Sequence, residues 1–218
     1  MIKLPDFKKS FEYENNFYLS SDQSRIHKII IHYQLYEKIK HLNGSIIECG
    51  VFKGISSIRF AAFRDFFNNS SNKLVLFDIF GKFPEADYSK DVKNRNNFIK
   101  DAGLHGISKN QLNKILKNKK IKNFELIQGD ITKTVKTYAE KHPRLKISLL
   151  HIDVDLYGPT KTILENFYPH VVKGGIIITD DYRSSLFPGN QKAWEKYFNS
   201  KNVRSLSLPS GQAVVIKE

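Results

Sequence analysis

Four aspartates at the ends of two apolar runs carry the strongest chemical signal in this chain. ISLLHI is followed by Asp153 and Asp155, and GGIIIT by Asp180 and Asp181. Runs that are apolar on both faces read as strands buried in a parallel sheet, and ligands of such sheets sit at the carboxyl ends of the strands. If the two strands are neighbours, Asp153, Asp180 and Asp181 converge on one edge of that crevice. Crowded carboxylates repel unless a cation sits among them. Oxygen ligands without cysteine or histidine suit a hard ion, magnesium first, with manganese or calcium as alternatives. Helix caps or salt-bridged acids are the plainer reading of the same residues.

Three further strand ends carry polar residues. The first is followed by Cys49, Gly50, Val51, Phe52, Lys53 and Gly54, whose two glycines let the backbone approach a ligand and open a helix toward it. A dinucleotide fingerprint would need a glycine where Phe52 stands, so close approach of a pyrophosphate is blocked. A strand-to-helix turn with no ligand fits this motif too. Asp78 ends the second strand, where an acid can accept both hydroxyls of a ribose. Asp130, after Gly129 at the end of the third, is placed to meet an adenine edge or simply to cap the next helix.

These residues need elements to position them. Apolar residues at near-helical spacing predict a helix over 22–43, with Ser21 or Asp22 as N-cap and Gly44 as stop. Strands are expected over 45–48, 73–77, 124–128, 147–152, 175–179, 203–208 and 213–217, with helices over 56–67, 108–117, 132–141 and 160–167. This is an α/β chain with a Rossmann-like, doubly wound, seven-stranded sheet. Pro209-Ser210-Gly211 is too short for a helical crossover, so the last two strands form an antiparallel hairpin, as in class I methyltransferases. Residues 81–107 fit neither pattern and are longer than an ordinary connection, as lids are. The expected organisation is one domain, 1–218, with a helical N-terminal extension over 1–44 and a lid insertion over 81–107.

Composition narrows the partners. The start of the chain is charged throughout, and no apolar run approaches the roughly 20 residues of a membrane span. A cytoplasmic protein without a membrane partner is therefore expected. The single cysteine, Cys49, can form no internal disulfide and reads as a buried small hydrophobe. The net charge of +13 invites a nucleic-acid reading, but the lysines travel with Asn and Ile, as in NKILKNKKIKN, and no aromatic-basic signature accompanies them. A solvated face explains them, so nucleic acid is not the expected partner. The seven histidines form no H-x-H or H-x-x-x-H pair, and His151 reads as a core residue rather than a ligand.

Taken together, IIECGVFKGISS, LVLFDIFGKFP, ELIQGDITKTV, ISLLHIDVDLYGPTKTILENFYPHVVKGGIIITDDY and FPGNQKAW resemble the macrocin O-methyltransferase family over about residues 45–193. The resemblance implies S-adenosylmethionine as methyl donor and magnesium chelating neighbouring hydroxyls of a sugar. It implies that Glu48, Gly50, Ser56 and Ser57 hold the methionine end of the cofactor, Asp78 the ribose, and Asp130 with Ile131 the adenine. Asp153, beside the cofactor, would join Asp180 and Asp181 on the metal, and Asp155 corresponds to the general base. Arg183 stands where the family commonly has glycine, and 81–107 does not match the macrolide enzymes closely, so the acceptor is not implied.

The expected function is O-methylation of a sugar or sugar-containing small molecule by a monomer or homodimer. Metal at the acceptor oxygen, Asp155 as base and in-line geometry would ionise and aim a poor nucleophile. Transfer to a small amine or phenol, a nucleic-acid methyltransferase and a silent cofactor-binding scaffold are the rival readings.

Overall fold

The computed structural model describes residues 2–86, 88–185 and 187–218. The chain runs α1 (Ser10–Ser20), α2 (Gln23–Ile39), β1 (Ser45–Cys49), α3 (Ile55–Phe66), β2 (Leu74–Asp78), α4 (Ser89–Ala102), α5 (Lys109–Asn118) and β3 (Phe124–Gln128). It continues with α6 (Ile131–Lys141), β4 (Ile147–Ile152), α7 (Tyr157–Phe167), β5 (Val171–Thr179), α8 (Pro188–Asn199), β6 (Leu206–Ser207) and β7 (Ala213–Ile216). The described residues form one seven-stranded sheet of order β3-β2-β1-β4-β5-β7-β6. β1 to β5 pair in parallel and β7 is antiparallel to β5 and β6, so the doubly wound sheet with a terminal hairpin is confirmed.

Alternate side chains of each strand feed two cores. Ile46, Leu149 and Ile178 pack with Phe60, Leu112 and Leu116 on one face, and Ile47, Leu150 and Ile177 with Phe167, Trp194 and Phe198 on the other. The alternation follows from the two-residue period of a strand. It continues to the strand tips, where Glu48 and His151 point to the α2 and α3 side.

The tips are level. Cys49 is opposite Ile152, and Ile152 opposite Thr179. Beyond them, the Asp153 amide donates to the Cys49 carbonyl (2.9 Å) and the Asp180 amide to that of Ile152 (3.0 Å). Three strands thus end one residue short of Gly50, Asp153 and Asp180, which places these three side by side.

Three expectations need correction. The first helix covers Gln23–Ile39 rather than 22–43, with Asp22 capping the Ser24 amide at 2.8 Å. The sixth strand shrinks from 203–208 to Leu206–Ser207, because the Val203 amide is held by the Phe198 carbonyl at the end of α8 and Ser205 accepts from Trp194. Residues 81–107, expected to fit neither pattern, contain the helix α4 and are anchored to the rest of the chain. Arg95, nearly buried, donates to the carbonyls of Phe83 and Pro84 and to Glu85, while buried Asp91 accepts from the Gly189 amide at 3.0 Å. Phe98 packs between Phe52, Phe83 and Phe187. Among the described residues no helix is long and apolar enough to cross a membrane.

Candidate active site

The carboxyl ends of β1, β2, β4 and β5 open into a cavity of about 1110 Å³, room for a nucleoside-sized molecule and a second small one. Gly50, Ser56, Asp78, Asp130 and Ile131 line it on one side of the β1 tip, and Asp153, Asp155, Asp180 and Asp181 on the other. Gly81, Phe83, Pro84, Glu85, Phe98, Ala102 and Gly106, all from 81–107, supply a wall.

The turn after β1 is built by two glycines and one acid. Gly50 and Gly54 have φ of 89° and 82°, and a Cβ on Gly50 would overlap the Asp153 carbonyl oxygen. Glycine is therefore required where β1 and β4 tips meet. Asp78 braces the turn: its carboxylate accepts from the amides of Val51 (2.8 Å), Phe52 (3.0 Å) and Phe80 (2.6 Å). Burial raises the Asp78 pKa against the pull of those three bonds. The residue expected to face a ribose thus also shapes the loop beneath it. Asp130 caps α6, accepting from the Thr132 amide at 2.9 Å and the Thr132 hydroxyl at 2.7 Å, so the helix-cap reading is realised on the cavity wall.

Glu48 and Ser57 are a correction. Both are fully buried and neither lines the cavity. Ser57 donates to one Glu48 oxygen, and the other faces His151 Nδ1 at 3.2 Å. The strand period turns Glu48 down toward α3 while Gly50, on the bend, borders the cavity. Their contribution is to fix the wall from behind.

His151 is a core residue, as its place in ISLLHI suggested, but a charged one. Burial would lower its pKa; Asp180 at 3.0 Å from Nε2 and Glu48 at Nδ1 hold it up to about 10. With both ring nitrogens donating, it has no lone pair for a metal. His32 packs against it, 5.1 Å between ring centroids. Its Nδ1 lies 3.1 Å from Arg59 and its Nε2 3.3 Å from Asp180. An arginine can only donate, so Nδ1 accepts and the His32 proton falls to Nε2, which faces Asp180 and the Gln212 side-chain amide at 2.7 Å. His32, His151 and Asp180 bring three donor atoms within 4.8 Å of one another, yet both rings are committed to protein partners. This cluster is a polar brace rather than a ligand set.

The aspartates lie together but not as an extended strand would place them. β4 ends at Ile152, and Asp155 sits in the left-handed region at φ 61°. That bend brings Asp155 into a hydrogen bond with Asp181. Burial, then the Asp153 charge, pushes Asp155 up to about 8. Burial together with Asp180 and Asp181 raises Asp153 well above the carboxylate range, and burial with Asp155 and Asp180 does the same to Asp181. Asp180 alone is held well below it: burial opposes, but His151 and His32 prevail. Asp181 Oδ2 is buried without a hydrogen-bond partner. An orphaned oxygen among acids that resist ionisation fits a divalent cation.

Two cations were not anticipated from the sequence. Lys28 Nζ lies 2.8 Å from Asp180 Oδ2, and Arg59 lines the cavity beside it. The signal was available: Ser24, Lys28 and His32 recur at four-residue spacing, one face of α2.

Residues 28–208 match the family described as Macrocin-O-methyltransferase (TylF). A curated relative, the 8-demethyl-8-(2,3-dimethoxy-alpha-L-rhamnosyl)-tetracenomycin-C 4'-O-methyltransferase of Streptomyces olivaceus, is 25% identical over 145 residues, 64% of this chain. The match spans 53% of that relative, about half its length. The crystal structure of CalS11, a calicheamicin methyltransferase, superposes with a TM-score of 0.78 at 26% identity, covering 95% of this chain and 85% of the other. The O-methyltransferase NovP, 21% identical with a TM-score of 0.74 over 89% of this chain and 79% of its own, shares the fold. With the family match extending over most of its length, the chain belongs to the macrocin O-methyltransferase family.

Proposed function

We propose that the chain transfers the methyl group of S-adenosylmethionine to a hydroxyl of a sugar or sugar-containing small molecule, with magnesium or another hard divalent cation held by Asp153, Asp180 and Asp181. The observation that carries this reading is the gathering of four aspartates in the same cavity as the glycine turn. The rhamnosyl-tetracenomycin methyltransferase and CalS11, whose apo structure is described as that of a TDP-rhamnose 3'-O-methyltransferase, support the sugar. In this reading residues 2–218 work as one cytoplasmic unit and 81–107 covers the acceptor.

The chain's own part is positioning and proton transfer. Gly50 and Ser56 receive the methionine end, Asp78 the ribose, and Asp130 and Ile131 the adenine, with Glu48 and Ser57 bracing from below. A cation bound to the aspartates would lower the pKa of the hydroxyl it chelates. Asp155, in its ionised form, would accept the hydroxyl proton at a carboxylate oxygen, while its hydrogen bond with Asp181 belongs to the protonated, metal-free pair. Phe83 and Phe98 in the opposite wall exclude water from a cationic sulfonium and an ionising oxygen.

The metal can be tested without an acceptor. In the folded chain Asp155 holds its proton to about 8, and Asp153 and Asp181 hold theirs well above the usual range. Unfolded carboxylates ionise near ~4. The folded state binds more protons in that window, so this contribution to stability declines as pH rises from ~4 toward ~8. A cation favouring the ionised form reverses the loss. Magnesium should therefore raise Tm more at about pH 8 than at about pH 5, by about 2–4 °C per kcal/mol of binding. Equal shifts at both pH values, or a shift surviving Asp181→Asn, would remove the cation from this site.

A further inference from the structure

The proposed mechanism gives Lys28 no task, yet this side chain stands where the acids meet. Its ammonium is 2.8 Å from Asp180 Oδ2, and its charge also bears on Asp153 and Asp181. The other oxygen of Asp180 faces His32 at 3.3 Å, His151 at 3.0 Å and the Gln212 amide. Oδ1 of Asp180 is thus filled by protein donors, and an ion joining the carboxylate comes to Oδ2, where it meets the charge of the Lys28 ammonium.

The four donors differ in their freedom to leave. His32, His151 and Gln212 are completely buried, and His32 is stacked on Phe60 with 4.9 Å between ring centroids. His151 is also tied to Glu48. Lys28 is held by one contact on a flexible four-carbon stem, its side chain is 27% exposed, and it borders the cavity. Displacing it opens Oδ2, the oxygen not bound to the histidines, while the buried brace stays intact.

Building on the metal reading above, we propose that Lys28 is a tethered ammonium that occupies the cation position at Asp180 and must swing into the cavity when a divalent ion binds. The site then never presents unpaired acids to the crevice, and metal affinity is set by competition between an ion and the chain's own lysine. Arriving metal would also deliver a positive side chain toward the side of the cavity bordered by Arg25 and Arg59.

Manganese titration of the free protein, followed by electron paramagnetic resonance, tests this without turnover. Lys28→Met keeps length and removes charge, and should bind Mn²⁺ about ten- to a hundredfold more tightly than the natural chain, the usual worth of one charge-assisted hydrogen bond. Lys28→Arg should not gain affinity. Should Lys28→Met be poorly folded, Lys28→Gln serves the same comparison. Saturable binding only in the uncharged variants would also support the proposal, as the limit of strong competition. Unchanged or weaker binding in Lys28→Met and Lys28→Gln, at a site that Asp181→Asn abolishes, would overturn the lysine proposal alone. Absence of saturable binding in every form would overturn it together with the metal reading.

Discussion

Asp155→Asn should lower turnover by about 10²- to 10⁴-fold, the usual share of a general base, while leaving affinity for S-adenosylhomocysteine within about twofold of the natural chain. The substitution keeps the shape and the hydrogen bond toward Asp181 but cannot accept a proton. Asparagine also tolerates the left-handed backbone that residue 155 adopts at φ 61°, so a loss of activity will not reflect a misfolded loop. A cap for α7 was the competing role. The N-cap of that helix is Leu156, which makes no side-chain capping bond, and no bond from Asp155 to the helix amides appears among the described residues. Steady-state and single-turnover kinetics with a sugar acceptor measure the effect. A nearly fully active Asn variant would withdraw the base assignment and leave the metal site standing.

Gly50→Ala should be the most damaging single-atom addition near the site. Its Cβ would overlap the Asp153 carbonyl oxygen and press on the Val154 side chain, at a φ of 89° that alanine resists. The β1 and β4 tips would have to part, moving the cofactor turn and the first metal ligand at once. A stability loss of about 3 kcal/mol or more is expected from such overpacking and backbone strain. Denaturant unfolding gives the number, and cofactor titration at low temperature separates the local effect from global unfolding. By contrast Gly103→Ala, where the added Cβ meets nothing within 4 Å, carries only the strain of its positive φ and should cost about 1–2 kcal/mol. Equal losses at the two positions would mean that the tips tolerate separation.

Much of this was legible in the residues. The doubly wound layering follows from apolar runs interleaved with amphipathic stretches, because a run like ISLLHI can be buried only between two layers of helices. The acids at the strand ends could be gathered into one crevice for the same reason. Side-chain direction near the tips was not legible. Asp155 took its role from the family resemblance, and its contact with Asp181 comes from a bend of the chain just past the strand that no residue pattern announces. Glu48 was assigned to the cofactor by the family resemblance, whereas strand alternation turns it into the core beside His151. The charged state of His151 depends on Glu48 and Asp180, 103 and 29 residues away, and no local pattern announces such a partner. Helix α4 was missed because its anchors are Asp91 and Arg95, which look solvated until their backbone partners are known.

Calorimetric titration of S-adenosylhomocysteine into the purified chain, in the presence of magnesium, tests the central claim most directly. Saturable one-to-one binding is expected, and Asp78→Ala should weaken it by about tenfold or more, since both the ribose and the amides of the turn lose a charged acceptor. Binding of a nicotinamide dinucleotide with no heat from S-adenosylhomocysteine would contradict the assignment of this cavity to a methyl donor.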